Sequence, residues 1–275
     1  MSKQVKAIVI TGYGTNCEVE MAHACRLGGA DRVDIVHMSE LLHGEYRLDD
    51  YHLLNLAGGF LDGDDLGAGQ AGAHRWRYAT VKPGGELLRD QLYRFIDDGK
   101  LIIGVCNGFQ LMVKLGLLPG FERRYDHRLV SLTHNDSSRF EDRWVHLRVE
   151  PDNPCVFTRG LEKLYFPVRH GEGKFVCAGE GVCSLLQENK QVVLRYAEAE
   201  SGEATMNYPA NPNGSPGGIA GICDPSGRLF GLMPHPEAYL HRTNHPRWTR
   251  EELPEEGQGV LLFKNGINFI RDHLL

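Results

Sequence analysis

Residues 101–105 read Leu-Ile-Ile-Gly-Val, and Gly108 to Leu115 follow closely with helical spacing as far as Gly116. An unbroken apolar run of that length makes a strand buried on both faces. Strand and helix therefore meet with almost no connection between them. Such a junction belongs to a parallel sheet covered by helices, and it limits the chain more than any other segment. At the turning point stands Gly104-Val105-Cys106-Asn107-Gly108. The glycines permit a sharp turn that forces the central side chain outward. Cys106 is thereby a candidate nucleophile, set before a helix N-terminus where negative charge is favoured. A tight turn around a small buried side chain would use the same residues, so the assignment needs a base elsewhere in the chain.

The first half of the sequence repeats the alternation. Val5 to Ile10 is a β-branched run, Thr15 and Glu18 stand in capping-box spacing, and the helix they open ends at Gly28-Gly29. Val33 to His37 and Leu53 to Leu56 are short apolar strands, and a helix is expected over about Gly85 to Asp97. The second half reads as strands: alternation around Trp144, Leu147 and Val149, then Val182–Leu186, Gln191–Tyr196, Ile219–Cys223 and Leu229–Met233. Val260, Phe263, Ile267, Ile270 and Leu274 form the stripe of a closing amphipathic helix. No repeat or charged linker divides the 275 residues, so 1–275 reads as one α/β domain with a mostly parallel sheet and extra strands in its second half. The Gly/Pro/Asn-rich stretch from Asn207 to Gly218 is either a functional loop or a surface excursion.

A base is found at the end of another buried strand, where Leu229 to Met233 runs into Pro234-His235-Pro236-Glu237. A histidine beside a thiol can take its proton and later pass it to a leaving amine, while a carboxylate on the other ring nitrogen fixes the tautomer. His235 and Glu237 fit those two roles. The backbone N–H of Asn107 would face a developing oxyanion, and Gly58-Gly59-Phe60, at the end of a third strand, offers Gly59 or Phe60 as the second donor.

Taken in order, Gly-Val-Cys106-Asn-Gly-Phe-Gln, Pro-His235-Pro-Glu237 and Gly58-Gly59-Phe60 resemble the class I glutamine amidotransferases, specifically the glutaminases of phosphoribosylformylglycinamidine synthase. Asn16-Cys17-Glu18, Gly63-Asp64, His170-Gly171-Glu172-Gly173 and Asn213-Gly214-Ser215-Pro216 extend the likeness over nearly the whole chain. The resemblance implies a flavodoxin-like fold and a Cys-His-Glu triad that attacks the side-chain amide of L-glutamine. A glutamyl thioester forms, ammonia leaves, and water completes the reaction. It also implies that Gln110, one helical turn beyond Cys106, helps bind the glutamine head group and that Gly58 takes part in substrate binding. The chain departs from the family at Leu61-Asp62, where serine and tyrosine are usual, and at Ala238, where arginine is common.

Other signals set limits. A net charge of -6 offers no basic face for nucleic acid. No stretch reaches the roughly 18 apolar residues of a membrane span, and the opening residues lack a signal-peptide core, so a cytoplasmic protein is expected. Seven cysteines without a C-x-x-C pair suggest neither a disulfide framework nor a zinc ribbon, and His241 and His245 lack the helix a zinc pair at that spacing needs. No Walker loop and no complete dinucleotide fingerprint are present. No cofactor is therefore expected in this chain, and the resemblance places ATP and magnesium on a separate synthetase subunit, with a small accessory subunit as a further partner. The competing expectations are a stand-alone thiol hydrolase of γ-glutamyl amides or peptides, and a catalytically silent regulatory subunit.

Overall fold

A computed structural model describes residues 4–275. The expectation that no signal peptide opens the chain lies outside the described residues as far as it rests on Met1 to Lys3. The chain begins with β1 (Lys6–Thr11), α1 (Glu18–Leu27), β2 (Arg32–His37), α2 (Met38–His43), β3 (Leu53–Leu56) and α3 (Gln70–Tyr78). A small hairpin, β4 (Thr80–Val81) and β5 (Glu86–Leu87), leads into α4 (Leu88–Asp97), β6 (Leu101–Val105) and α5 (Asn107–Leu115). Then come β7 (Val130–Thr133), β8 (Glu141–Val149), β9 (Lys163–His170), β10 (Lys174–Cys177), α6 (Glu180–Glu188), β11 (Val192–Ala197), β12 (Ile219–Cys223), β13 (Leu229–Leu232) and α7 (Gly259–His273).

Nine strands form one sheet in the order β2-β1-β3-β6-β13-β12-β11-β8-β9. The first five run parallel, and the pairings from β13 outward are antiparallel. This matches the sequence pattern: β3, β6 and β13 are buried at every position, as strands covered on both faces must be, whereas β8 alternates. The register aligns the strand ends. Leu56 of β3 lies beside Gly104, and Leu232 of β13 lies beside Val105. The segments that continue past these three strands, at Gly58-Gly59, Cys106 and His235, therefore emerge together at the carboxyl edge of the parallel half, where open α/β sheets carry their sites.

Helix α5 can lie so close to the sheet only because of glycines. A Cβ on Gly108 would stand 1.9 Å from the Leu56 carbonyl oxygen, and one on Gly231 would stand 2.1 Å from the Phe109 ring. Helix α7 packs with its apolar stripe against α1, where Gly28 meets Phe263 and Ile267.

Several expected elements differ. Val182 to Leu186 belong to helix α6, not to a strand, and Leu186 is its one buried residue. So short an apolar run, preceded by glycines and followed by polar residues, does not reveal its period. Cys183 on that helix is joined to Cys177 at the end of β10, a disulfide that the cysteine spacing did not suggest. Thr15 does not cap α1, whose N-cap is Cys17, without a side-chain capping bond. His74 to Arg77, a basic-aromatic stretch to which sequence reasoning assigns no element, lie in α3: Trp76 is fully buried, Arg75 pairs with Asp62 at 2.9 Å, and Arg77 donates to the Leu115 carbonyl.

Candidate active site

Cys106 sits between β6 and α5 with φ 52° and ψ −105°, a backbone conformation that a non-glycine residue holds only under constraint. The constraint is visible. Its N–H is bound to the Leu232 carbonyl at 2.8 Å, and its own carbonyl accepts from Gln110 N at 3.0 Å, so the turn is pinned on one side by β13 and on the other by α5. The thiol, 5% exposed, rests against the Arg169 carbonyl at 3.6 Å.

His235 and Glu237 lie on the turn after β13, with Pro236 between them fixing φ. Glu237 Oε1 is 2.5 Å from His235 Nδ1. The other ring nitrogen, Nε2, is buried and has no hydrogen-bond partner among the described residues. Burial alone would drive this imidazole's pKa down, but the Glu237 carboxylate and then Cys106 outweigh it and hold the pKa well above the ordinary value. The ring also lies close against Gly58, where an added Cβ would come within 2.9 Å of Cε1. Strand β9, at the far edge of the sheet, returns to this spot: the Pro167 carbonyl accepts from His235 N at 2.8 Å. Its last residue, His170, is buried, bonded through Nδ1 to Asn135 Oδ1 at 3.1 Å, and kept as a neutral ring, its pKa pushed down to about 3 by burial and by His235.

These groups line a cleft of about 310 Å³ bounded by Asn16, Cys17, Glu20, Gly59, Phe60, Cys106, Phe140, Arg169, His235, Glu237 and Ala238. A larger groove of about 640 Å³ along residues 148–163 and 201–203 is open, and it brings together no thiol and base: its Arg148 pairs with Glu150 and, at 2.8 Å, with Glu203. The cleft with the thiol is the chemical one.

The structure gathers Cys106, His235 and Glu237 in one place, but it reassigns three other expected residues. Phe60 N–H donates to the Gly14 carbonyl at 2.7 Å, so it is not free for an oxyanion. Among the described residues no acceptor takes the N–H of Gly59, at φ +140°, or of Asn107, the first residue of α5. Gln110 does not border the cleft. Its amide is spent internally, donating to the Glu172 carbonyl at 2.7 Å and accepting from Asn107 Nδ2 at 2.9 Å. Gly58 is the seat of the histidine ring; its carbonyl takes the N–H groups of Asn16 and Cys17. The departure at Leu61-Asp62 is internal as well: Leu61 N–H donates to Asn107 Oδ1, and Asp62 pairs with Arg75.

Sequence reasoning missed Cys17, to which it assigns no role in the site. Its thiol lies 3.9 Å from His235 Nδ1. Burial pushes the Cys17 thiol pKa up, so it stays protonated. Cys17, His235 and Glu237 bring a sulfur, a nitrogen and a carboxylate oxygen within 4.8 Å of one another, a donor set able to attract a thiophilic cation. The 2.5 Å contact between His235 and Glu237 is closer than two ligands stand across one ion, so the pair is built for holding a proton.

Gly58→Ala tests that seating. Because the added methyl must displace either the His235 ring or the Cys17 thiol, both buried, turnover should fall on the order of 100-fold, with a stability cost of about 1–3 kcal/mol. Steady-state kinetics and thermal melting check it; unchanged turnover would remove Gly58 from any role in placing the histidine.

Fold and site together define a class: an α/β protein with a cysteine on a strained strand-to-helix turn, facing a buried histidine–glutamate pair. Comparison with known proteins agrees. A family model described as the CobB/CobQ-like glutamine amidotransferase domain matches residues 4–270. The phosphoribosylformylglycinamidine synthase subunit PurQ of Methanococcus maripaludis is 41% identical over 274 residues, covering 96% of this chain and 97% of its own. That of Dehalococcoides mccartyi is 43% identical over 271 residues, covering 98% and 99%. A chain in the structure of PurLQS from Thermotoga maritima aligns with a TM-score of 0.70 at 29% identity, over 98% of this chain and 100% of that one. The chain belongs to the CobB/CobQ-like glutamine amidotransferase family and, within it, to the PurQ subunits of phosphoribosylformylglycinamidine synthase. Among the described residues no helix is long and apolar enough to cross a membrane.

Proposed function

We propose that this chain hydrolyses L-glutamine through Cys106, His235 and Glu237 and passes the ammonia to an ATP-dependent synthetase subunit that makes phosphoribosylformylglycinamidine. The Cys106 thiolate attacks the side-chain amide carbon, and the oxyanion takes the N–H groups of Asn107 and Gly59. Collapse breaks the C–N bond, His235 supplies the proton, and ammonia leaves a glutamyl thioester. A water, losing its proton to His235, then cleaves the thioester and frees glutamate. Glu237 keeps Nδ1 bonded, so Nε2 is the nitrogen that exchanges protons. The carrying observation is the buried His235 ring, bonded to Glu237 on one side and open on the other, beside a cysteine held at φ 52°.

ATP and magnesium are assigned to the synthetase, which activates the acceptor amide. The chain's own part ends with ammonia. In the resting geometry the thiol leans on the Arg169 carbonyl and one backbone amide near the cleft is engaged with Gly14, so docking has something to release. Glutaminase turnover should therefore rise at least about tenfold when the synthetase, its acceptor and ATP are added to the isolated chain. Full turnover without partners would favour the stand-alone hydrolase instead, and no turnover under either condition would favour the silent subunit.

A further inference from the structure

Besides its thiols the cleft is lined by four ionisable side chains, and two of them are already committed. Glu237 is bonded to His235, and the raised pKa of His235 belongs to that pair. Of the lining residues this leaves Arg169, near the end of β9, and Glu20, in the first turn of α1. Neither makes an ion pair among the described residues, although Arg143, the neighbouring arginine on β8, is taken by Glu141 and Tyr208. Arg169 stands opposite Asp142 in the β8–β9 register without bonding to it. An uncommitted cation and an uncommitted anion thus face the space in front of the thiol, with the Phe60 and Phe140 rings, 6.3 Å apart, on its apolar border.

We propose that Arg169 and Glu20 are the specificity-determining pair that recognises an α-amino acid head group, the arginine taking the α-carboxylate and the glutamate the α-ammonium. The assignment rests on the glutaminase reading and adds to it which end of the substrate is read, and by which side chains. A guanidinium meets a carboxylate through two parallel N–H···O bonds, and a glutamate accepts from an ammonium, so a zwitterion satisfies both groups at once. The phenylalanine rings would cover the methylene chain between the head group and the reacting amide. A simple amide or a peptide-bound glutamine lacks one or both charges, so it would leave one of these groups unmatched.

The test compares two reagents on the full-length chain, each reacting with Cys106: a diazoketone analogue of L-glutamine, which carries the head group, and iodoacetamide, which does not. Arg169→Ala and Glu20→Gln should each slow labelling by the glutamine analogue roughly 10- to 100-fold and leave the iodoacetamide rate unchanged. Arg169→Lys should recover part of the loss. Equal rates for wild type and variants with the glutamine analogue would overturn the assignment while leaving the glutaminase reading standing. Equal losses with both reagents would also overturn it, because they mark a distorted site and not a lost head-group contact. Failure of the analogue to label Cys106 in the wild type, with the synthetase present, would instead overturn the glutaminase reading.

Discussion

In the complex with its synthetase, Cys106→Ala should abolish glutamine-dependent synthesis and leave synthesis from ammonium salts at the wild-type rate. Removing the nucleophile of a covalent mechanism leaves only binding and the oxyanion donors, so the glutaminase rate should drop by on the order of 10⁴-fold or more. The fold should survive. Alanine is smaller than cysteine, and the strained backbone at φ 52° is held by the bonds of Cys106 N to Leu232 and of its carbonyl to Gln110 N, which do not involve the side chain. Parallel assays with glutamine and with ammonium chloride check the result. Loss of both activities would refute the division of labour between the subunits; survival of the glutamine-dependent one would refute Cys106 itself.

Much of this architecture is legible in the sequence because the residues that carry it are local. The run Leu101–Val105 and the glycines around Cys106 specify strand, turn and helix within a dozen positions, and the structure places β6 and α5 accordingly. His235 and Glu237 are two residues apart, so their contact is also a local matter. What the sequence hides depends on distant partners. The Phe60 amide looks free until Gly14, far away in the chain, is seen to accept from it. Gln110 looks like a cleft residue by its helical position, yet the Glu172 carbonyl takes its amide. Cys17 is one cysteine among seven until the sheet register brings the end of β1 beside that of β3 and sets its thiol next to His235. The apolar run in α6 could not be told from a strand because only Leu186 is buried, too little to display a period. The return of the edge strand β9 onto the site, which sets the Arg169 carbonyl against the Cys106 thiol and the Pro167 carbonyl against His235 N, joins segments far apart in the chain, and no single segment encodes it.

Glu237→Gln separates the two contributions a carboxylate makes to a triad. Glutamine keeps the length of the side chain and an oxygen able to accept from His235 Nδ1, so orientation is partly retained, while the negative charge is lost. Turnover should fall on the order of 10²- to 10⁴-fold. The pH profile carries the sharper information. The groups around His235 are Glu237, Cys106, Cys17 and His170. Burial lowers the imidazole pKa, and Glu237 is the largest influence opposing it. Without the charge, burial prevails and the pKa must fall. Imidazolium is the form that protonates the departing ammonia, and it is lost as pH rises through that pKa. The alkaline limb of the turnover profile should therefore move to lower pH in the variant, while Cys17→Ala, which removes a weaker influence, should move it much less in the same direction. Turnover measured across pH, with circular dichroism to establish that both variants are folded, decides the matter. An unmoved alkaline limb in Glu237→Gln would mean that the carboxylate only orients the ring, and unchanged turnover would remove Glu237 from the triad.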